Sequence, residues 1–147
     1  MKVREAMSQG TESVLKTDSV KSAVFKMTLH NLSSVTVVDE DHNLIGIVTV
    51  RDVMLPLYPG QGEYVHDSIH ARDFEAMEDG YGKVMEMTVG DIMTANPVSV
   101  SADDAVLKAA SFMGLKRLRR IPVTEGSKLV GVITIEHINN ALFIANA

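Results

Sequence analysis

The sequence predicts a mixed α/β (α+β) fold made of two copies of one helix–strand–strand–helix unit, and three observations predict it. First, the segment VREAMS at Val3–Ser8 returns as VGDIMT at Val89–Thr94, 86 residues later. The same offset joins Val14 to Val100, Val20 to Val106, Ala23 to Ala109, Met27 to Met113, Leu32 to Leu118 and Val37 to Val123. Second, apolar residues in each copy recur at helical spacing and then crowd into β-branched runs, the change of period that separates a helix from strands. Third, 46% hydrophobic and 22% charged residues over 147 positions describe a chain able to bury a core.

Each copy opens on its Val-x-x-x-Met-Ser/Thr segment and an extended lead-in, clearest at Pro97–Val100. A helix follows. Its apolar stripe is Val20, Ala23, Val24, Met27 and Leu29 in the first copy, and Val106, Ala109, Ala110 and Met113 in the second. Thr17-Asp18 and Asp103-Asp104 are the expected N-caps. Val35–Val38 reads as a strand, Asp39–Asn43 as a polar turn and Leu44–Val50 as the second strand of a pair. The second copy loses one residue in its turn, where Glu125-Gly126-Ser127 suits a hairpin. Beyond it Gly46, Val48 and Thr49 match Gly131, Ile133 and Thr134 at an offset of 85. Short helices over Arg51–Leu55 and Glu136–Phe143 close the copies. The expected division is residues 1–55, an unmatched insertion over 56–87, and residues 88–147. The insertion starts with turn residues (Pro56, Pro59-Gly60, Gly62), and a helix is expected around Val65–Met77. Insertions of this length cost little chain entropy.

Composition removes several function classes. Fourteen Lys and Arg against nineteen Asp and Glu leave a net charge of −5, a poor match for general nucleic-acid binding. No run approaches the roughly 18 apolar residues of a membrane span. The first residues, MKVREAMSQG, hold no apolar signal core, so a cytoplasmic location is expected. Without cysteine there is no disulfide, thiol nucleophile or thiolate metal site. No Ser/His/Asp order, phosphate-cradling glycine loop or carboxylate pair stands out, so no catalytic residue and no enzyme activity is expected. His66 and His70, with Asp67 and Asp73 near them, have a spacing that can hold a metal on a helix face. In so polar a stretch solvated histidines are the better reading, and no metal is expected.

Four features, repeated in order in both halves, place the unit in a known company. They are the opening Val–x–x–x–Met–Ser/Thr, the lead-in Asn96-Pro97-Val98-Ser99-Val100, the junction Arg120-Ile121-Pro122-Val123, and the closing Gly46-Ile47-Val48-Thr49-Val50-Arg51-Asp52. With these the unit resembles the cystathionine β-synthase (CBS) domain, and two in tandem resemble a Bateman module. That resemblance implies copies packed through their sheets about a pseudo-twofold axis. It implies two clefts between them that take adenine nucleotides or other adenosyl ligands, and pairing of modules into a disc-shaped homodimer.

The residues support one ribose site on their own chemistry. Asp52 lies three positions after Thr49 at a strand-to-helix junction, so both side chains can face one ligand. A carboxylate accepts from both hydroxyls of a vicinal diol, each charge-assisted bond contributing about 1.5–3 kcal/mol. Thr49 can bond phosphate or ribose beside a helix N-terminus. The same two residues also suit a plain strand end and helix cap. The resemblance places the phosphate end in the other copy, at Arg119 and Arg120, whose forked guanidinium groups match phosphate oxygens. Lys116 and Arg117 are accounted for by the negative end of a helix. The resemblance lines the adenine cleft with Ile47, Val48, Asn96, Pro97, Val98 and Ile121. Val98 is the better backbone donor there because Pro97 has no N–H. In the second cleft Thr134 is kept, but His137 stands where the carboxylate belongs and Ser33 and Ser34 where the cations belong. That cleft is expected to be degenerate.

The expected function is a stand-alone regulatory module that binds AMP, ADP or ATP between its repeats and signals occupancy to an unidentified protein effector. It needs no cofactor beyond that ligand, forms a homodimer, and uses the insertion for partner contact. The alternatives are a ligand-free dimerisation module, a site for S-adenosylmethionine or NADH, and a metal enzyme built on His66 and His70.

Overall fold

The computed structural model describes residues 1–58 and 74–147, which form two four-stranded sheets backed by helices. The first half runs α1 (Val3–Ala6), β1 (Ser8–Gln9), β2 (Ser13–Leu15), α2 (Val20–Leu29), β3 (Ser34–Val38), β4 (Leu44–Thr49) and α3 (Val50–Met54), then a 3-10 turn at Leu55–Leu57. After the insertion's α4 (Phe74–Asp79) and α5 (Tyr81–Glu86), the order repeats. It continues as α6 (Val89–Ile92), β5 (Thr94–Ala95), β6 (Val100–Ser101), α7 (Val106–Lys116), β7 (Arg120–Glu125), β8 (Lys128–Thr134) and α8 (Ile135–Asn146). Among the described residues no helix is long and apolar enough to cross a membrane.

The sheets exchange their edge strands. One has the order β2-β3-β4-β5 and the other β1-β8-β7-β6, so each borrows a short strand from the opposite copy. Strand β5 runs antiparallel to β4, with Ile47 opposite Thr94, and β1 runs antiparallel to β8, with Ser8 opposite Val132. The opening helices cross over with them. Val3 is fully buried among Val100, Val106, Ala109, Ile121 and Ile133 of the second core. Val89 is likewise buried among Val20, Ala23, Val35, Val37 and Val48 of the first. Matching backbone bonds of 2.8 Å, Val3 N–H to Asp104 O and Val89 N–H to Asp18 O, hold the two crossings.

Glycine lets the borrowed strands approach. A Cβ at Gly46 would lie 2.9 Å from Met93 Sδ and 3.0 Å from Thr94 O, and one at Gly131 would overlap Ser8 O. The hairpin turns meet on the other side, where Leu44 N–H donates to Ser127 O (2.9 Å) and Leu129 N–H to His42 O (3.1 Å). Asp39 stiffens this junction by accepting from the Asn43 backbone N–H (2.8 Å) and side-chain amide (3.0 Å). Those bonds hold its carboxyl below the usual range.

One expectation needs correcting. The helices α2 and α7 start later than expected, with Ser19 and Ala105 as N-caps. Asp18 and Asp104 instead fold back to accept the Leu15 and Ser101 N–H groups at 2.9 Å, closing the turn after the preceding strand. The insertion also contributes to the core, since Val84 on α5 is buried against α2. Of the helix expected around Val65–Met77, only the part in α4 falls among the described residues, and His66 and His70 lie outside them.

Helices α2 and α7 end alike, in left-handed residues at equivalent positions, Asn31 (φ 53) and Arg117 (φ 55). Leu32 and Leu118 N–H then bond back to Met27 and Met113 carbonyls. Asn tolerates this conformation well; arginine carries a Cβ clash of about 1 kcal/mol. Arg117→Asn is therefore expected to stabilise the protein by about 1 kcal/mol, read as a higher urea midpoint at unchanged slope.

Candidate functional site

Thr49 ends β4 and caps α3, and Asp52 sits in the first turn of that helix. The pair forms a reciprocal box: Asp52 N–H donates to Thr49 Oγ1 (3.1 Å), while Asp52 Oδ2 accepts from Thr49 N–H (2.9 Å) and its hydroxyl (3.1 Å). Asp52 Oδ1 faces the borrowed strand and accepts from Thr94 Oγ1 at 3.3 Å. The cap leaves the second carboxylate oxygen, Oδ1, turned outward toward the borrowed strand of the second copy. Thr94 is a partner of Asp52 that sequence reasoning missed. Its signal was present in the Met-Thr end of the opening motif, but nothing local says that this motif lands beside β4.

Next to this trio the sheets face each other across a small cavity. It is lined by Ser34, Thr36 and Ile47 from the first copy and by Arg120, Pro122 and Val132, their repeat equivalents, from the second, with Thr11 at one side. The pseudo-twofold axis therefore passes through it. The cavity holds about 10 Å³, room for about one water. Ser34 stands opposite Thr49 in the β3–β4 ladder, so the cavity and the Thr49–Asp52–Thr94 trio are neighbours. Arg120 is half-buried, and its guanidinium makes no hydrogen bond or ion pair among the described residues. Burial pushes its pKa down and no carboxylate raises it.

The other predicted residues divide by strand alternation. Residues one apart on a strand point to opposite faces, so Ile47 and Arg120 reach the cavity while Val48 and Ile121, both fully buried, point into the two cores. Only the backbone of Val48 and Ile121 remains available to a ligand. Asn96 is exposed and left-handed (φ 52), and its N–H reaches Ile45 O at 3.4 Å, tying the lead-in to the edge of β4. Pro97 and Val98 are half-buried behind it, with Val98 against the second core. Arg119 is exposed and outside the cavity lining; its carbonyl takes Ile135 N–H at 3.2 Å, as the Ser33 carbonyl takes Val50 N–H at 3.0 Å.

At the second cleft His137 occupies the place of Asp52 in the same box. Thr134 N–H donates to His137 Nδ1 and His137 N–H to Thr134 Oγ1, both at 3.1 Å. The imidazole thus replaces the carboxylate as a helix cap, but its accepting nitrogen is already used. Ser34, expected opposite His137, lines the cavity that also holds Arg120. Among the described residues no group of three or more His, Cys, Asp or Glu side chains is placed to hold a metal.

A family model described as the CBS domain matches residues 3–58 and 89–144, the two copies. The chain belongs to the CBS domain family. Among curated proteins it is similar to the uncharacterised YlbB of Bacillus subtilis, 33% identical over 91% of this chain and 77% of that one. MK0525 of Methanopyrus kandleri is 29% identical over 83% of this chain but only 53% of its own length. The CBS-pair fold is shared with solved structures throughout. CBSX2 from Arabidopsis thaliana superposes with a TM-score of 0.78 at 23% identity, covering 99% of this chain and 97% of that one. The CBS domain pair of MJ0100, solved with 5'-methylthioadenosine and S-adenosyl-L-methionine, gives 0.68 at 22% identity, covering 100% and 98%.

Proposed function

We propose that this CBS pair is a cytoplasmic regulatory module, not an enzyme, that binds an adenine nucleotide between its repeats and passes occupancy to a protein effector. Thr49, Asp52, Thr94 and Arg120 form the site. The ribose hydroxyls donate to Asp52, held outward by its cap and by Thr94. The phosphate meets Arg120, and the base lies along the lead-in at Asn96–Val98. Arg120 carries the reading: a half-buried cation with no anionic partner among the described residues, in a chain of net charge −5. An arginine so placed is stabilised by a phosphate, to which it offers a planar fork. Solved relatives support the adenosyl class, since CBSX2 has been solved in complex with AMP and the MJ0100 pair with two adenosyl compounds. The unpaired cation favours a phosphorylated ligand over the sulfonium cation of S-adenosylmethionine.

Signalling follows from the cavity's size. A cavity of about 10 Å³ has no room for a phosphate, so a phosphate drawn in to Arg120 would favour an arrangement with the sheets further apart. The exposed apolar residues Phe25 and Leu29 on α2 and Leu107 and Leu115 on α7 offer a helical face for a second copy.

Thermal unfolding with AMP, ADP, ATP, S-adenosylmethionine and NADH tests the proposal. A nucleotide at 100 times its dissociation constant should stabilise the fold by about 2.7 kcal/mol. Arg120→Ser, which installs the first copy's residue at the equivalent position, should remove most of that shift. No shift with any nucleotide leaves the ligand-free dimerisation module as the reading.

A further inference from the structure

Four of five consecutive positions of the repeat differ in charge between the copies, while the turn they form is alike. His30, Asn31, Ser33 and Ser34 of the first copy are Lys116, Arg117, Arg119 and Arg120 of the second. Both stretches end a helix with a left-handed residue, bond the next leucine back to a methionine carbonyl, and hand a carbonyl to the closing helix. The fold makes this turn without any cation, so the four cations are not there to form it. No ion pair joins them to a carboxylate among the described residues, although the chain carries an acidic excess and its other basic clusters, at Arg4 and Lys26, are paired. Arg117 also holds a backbone conformation that asparagine at the equivalent site adopts more easily. Helix-dipole complementation favours Lys116 and Arg117 at the end of α7, but does not explain Arg119 and Arg120 beyond it, nor an arginine in the left-handed position.

The cations are graded. Lys116, Arg117 and Arg119 are exposed, and Arg120 is half-buried at the cavity. They run from solvent to the place where the α-phosphate of the proposed nucleotide would sit. We infer that the site takes a nucleoside polyphosphate rather than a monophosphate, with Arg120 at the inner phosphate and Lys116 and Arg117 meeting the outer ones. Charge complementarity carries this. A monophosphate of charge near −2 leaves the outer pair unmatched, whereas a triphosphate of charge near −4 matches the whole stretch. The inference rests on the reading of Arg120 as the phosphate residue, and it selects ATP over AMP at that same site.

Calorimetric titration with AMP, ATP and inorganic tripolyphosphate at about 50 mM salt tests it, using the wild-type chain, Asp52→Ala, and the double variant Lys116→Ser/Arg117→Asn. The Arg117→Asn change suits the backbone and keeps the variant folded. ATP should bind at least tenfold more tightly than AMP, and the double variant should bring ATP to within about twofold of AMP. Equal affinity for AMP and ATP in the wild type overturns the inference and leaves the nucleotide module intact. A preference for ATP that survives the double variant also overturns it. If neither nucleotide binds but tripolyphosphate does, with loss in the double variant and none in Asp52→Ala, the nucleoside reading fails and the polyphosphate site stands. If tripolyphosphate fails as well, both fall. A single-stranded oligonucleotide that binds more tightly than ATP, equally in Asp52→Ala, assigns the cations to nucleic acid and overturns the inference.

Discussion

Gly131→Ala is expected to destabilise the protein by about 3 kcal/mol, the largest effect of such a change among the described glycines. Gly131 pairs with Gln9 where β1 crosses onto β8, and a Cβ there would overlap the Ser8 carbonyl oxygen. A backbone atom cannot swing away as a side chain does, so relief requires displacing the borrowed strand and, with it, Val3 from the second core. Gly46→Ala should cost less, because its Cβ meets the flexible Met93 Sδ at 2.9 Å and the Thr94 carbonyl oxygen only at 3.0 Å, a tight contact rather than an overlap. Gly114, within α7, has nothing within 4 Å of its Cβ. Gly114→Ala should therefore stabilise by about 0.5–1 kcal/mol through helix propensity. Urea unfolding of the three variants checks the order. A Gly131→Ala midpoint equal to that of the wild type would mean that the crossed strand is not held in solution.

Asp52→Ala is expected to abolish the nucleotide-dependent thermal shift, about 2.7 kcal/mol at 100 times the dissociation constant, while lowering the ligand-free stability by about 1 kcal/mol through the lost cap. The two effects separate because one needs nucleotide and the other does not. His137→Ala removes an equivalent cap at α8, so it should lower ligand-free stability similarly and leave the nucleotide shift in place. The reverse pattern would assign the ligand to the His137 cleft. Thr94→Val should fall between them, since it removes only the 3.3 Å bond that orients Asp52 Oδ1.

Much of this was legible before any coordinates. The strands β3, β4, β7 and β8 and the helices α2 and α7 follow from runs of Val and Ile and from apolar spacing, which are local properties. That Thr49 and Asp52 share one strand-to-helix junction was legible for the same reason, though not that Thr49 is the cap and bonds Asp52. The missed features are of another kind. Helix α5 has no repeat counterpart, and its single buried valine, Val84, makes no pattern. Asp18 and Asp104 have capping chemistry but spend it on the preceding turn, a choice made by one or two residues of register. The two-residue period of a strand turns the side chains of Val48 and Ile121 into the cores and leaves to a ligand only the backbone groups, the ones the adenine reading uses.

By itself the sequence determined that the chain holds one unit twice, each with the same opening segment, and that four cations gather at one turn of an acidic protein. Those properties depend on near neighbours along the chain and on composition. Only the tertiary structure decided which core each opening segment enters, that Thr94 joins Asp52, and that Arg120 meets no carboxylate among the described residues at the cavity on the pseudo-twofold axis. A valine at position 3 or 89 gains the same burial energy in either core. What selects the opposite one is the fit of a short strand against Gly46 or Gly131, a contact between residues far apart along the chain, Gly46 with Ala95 and Gly131 with Gln9.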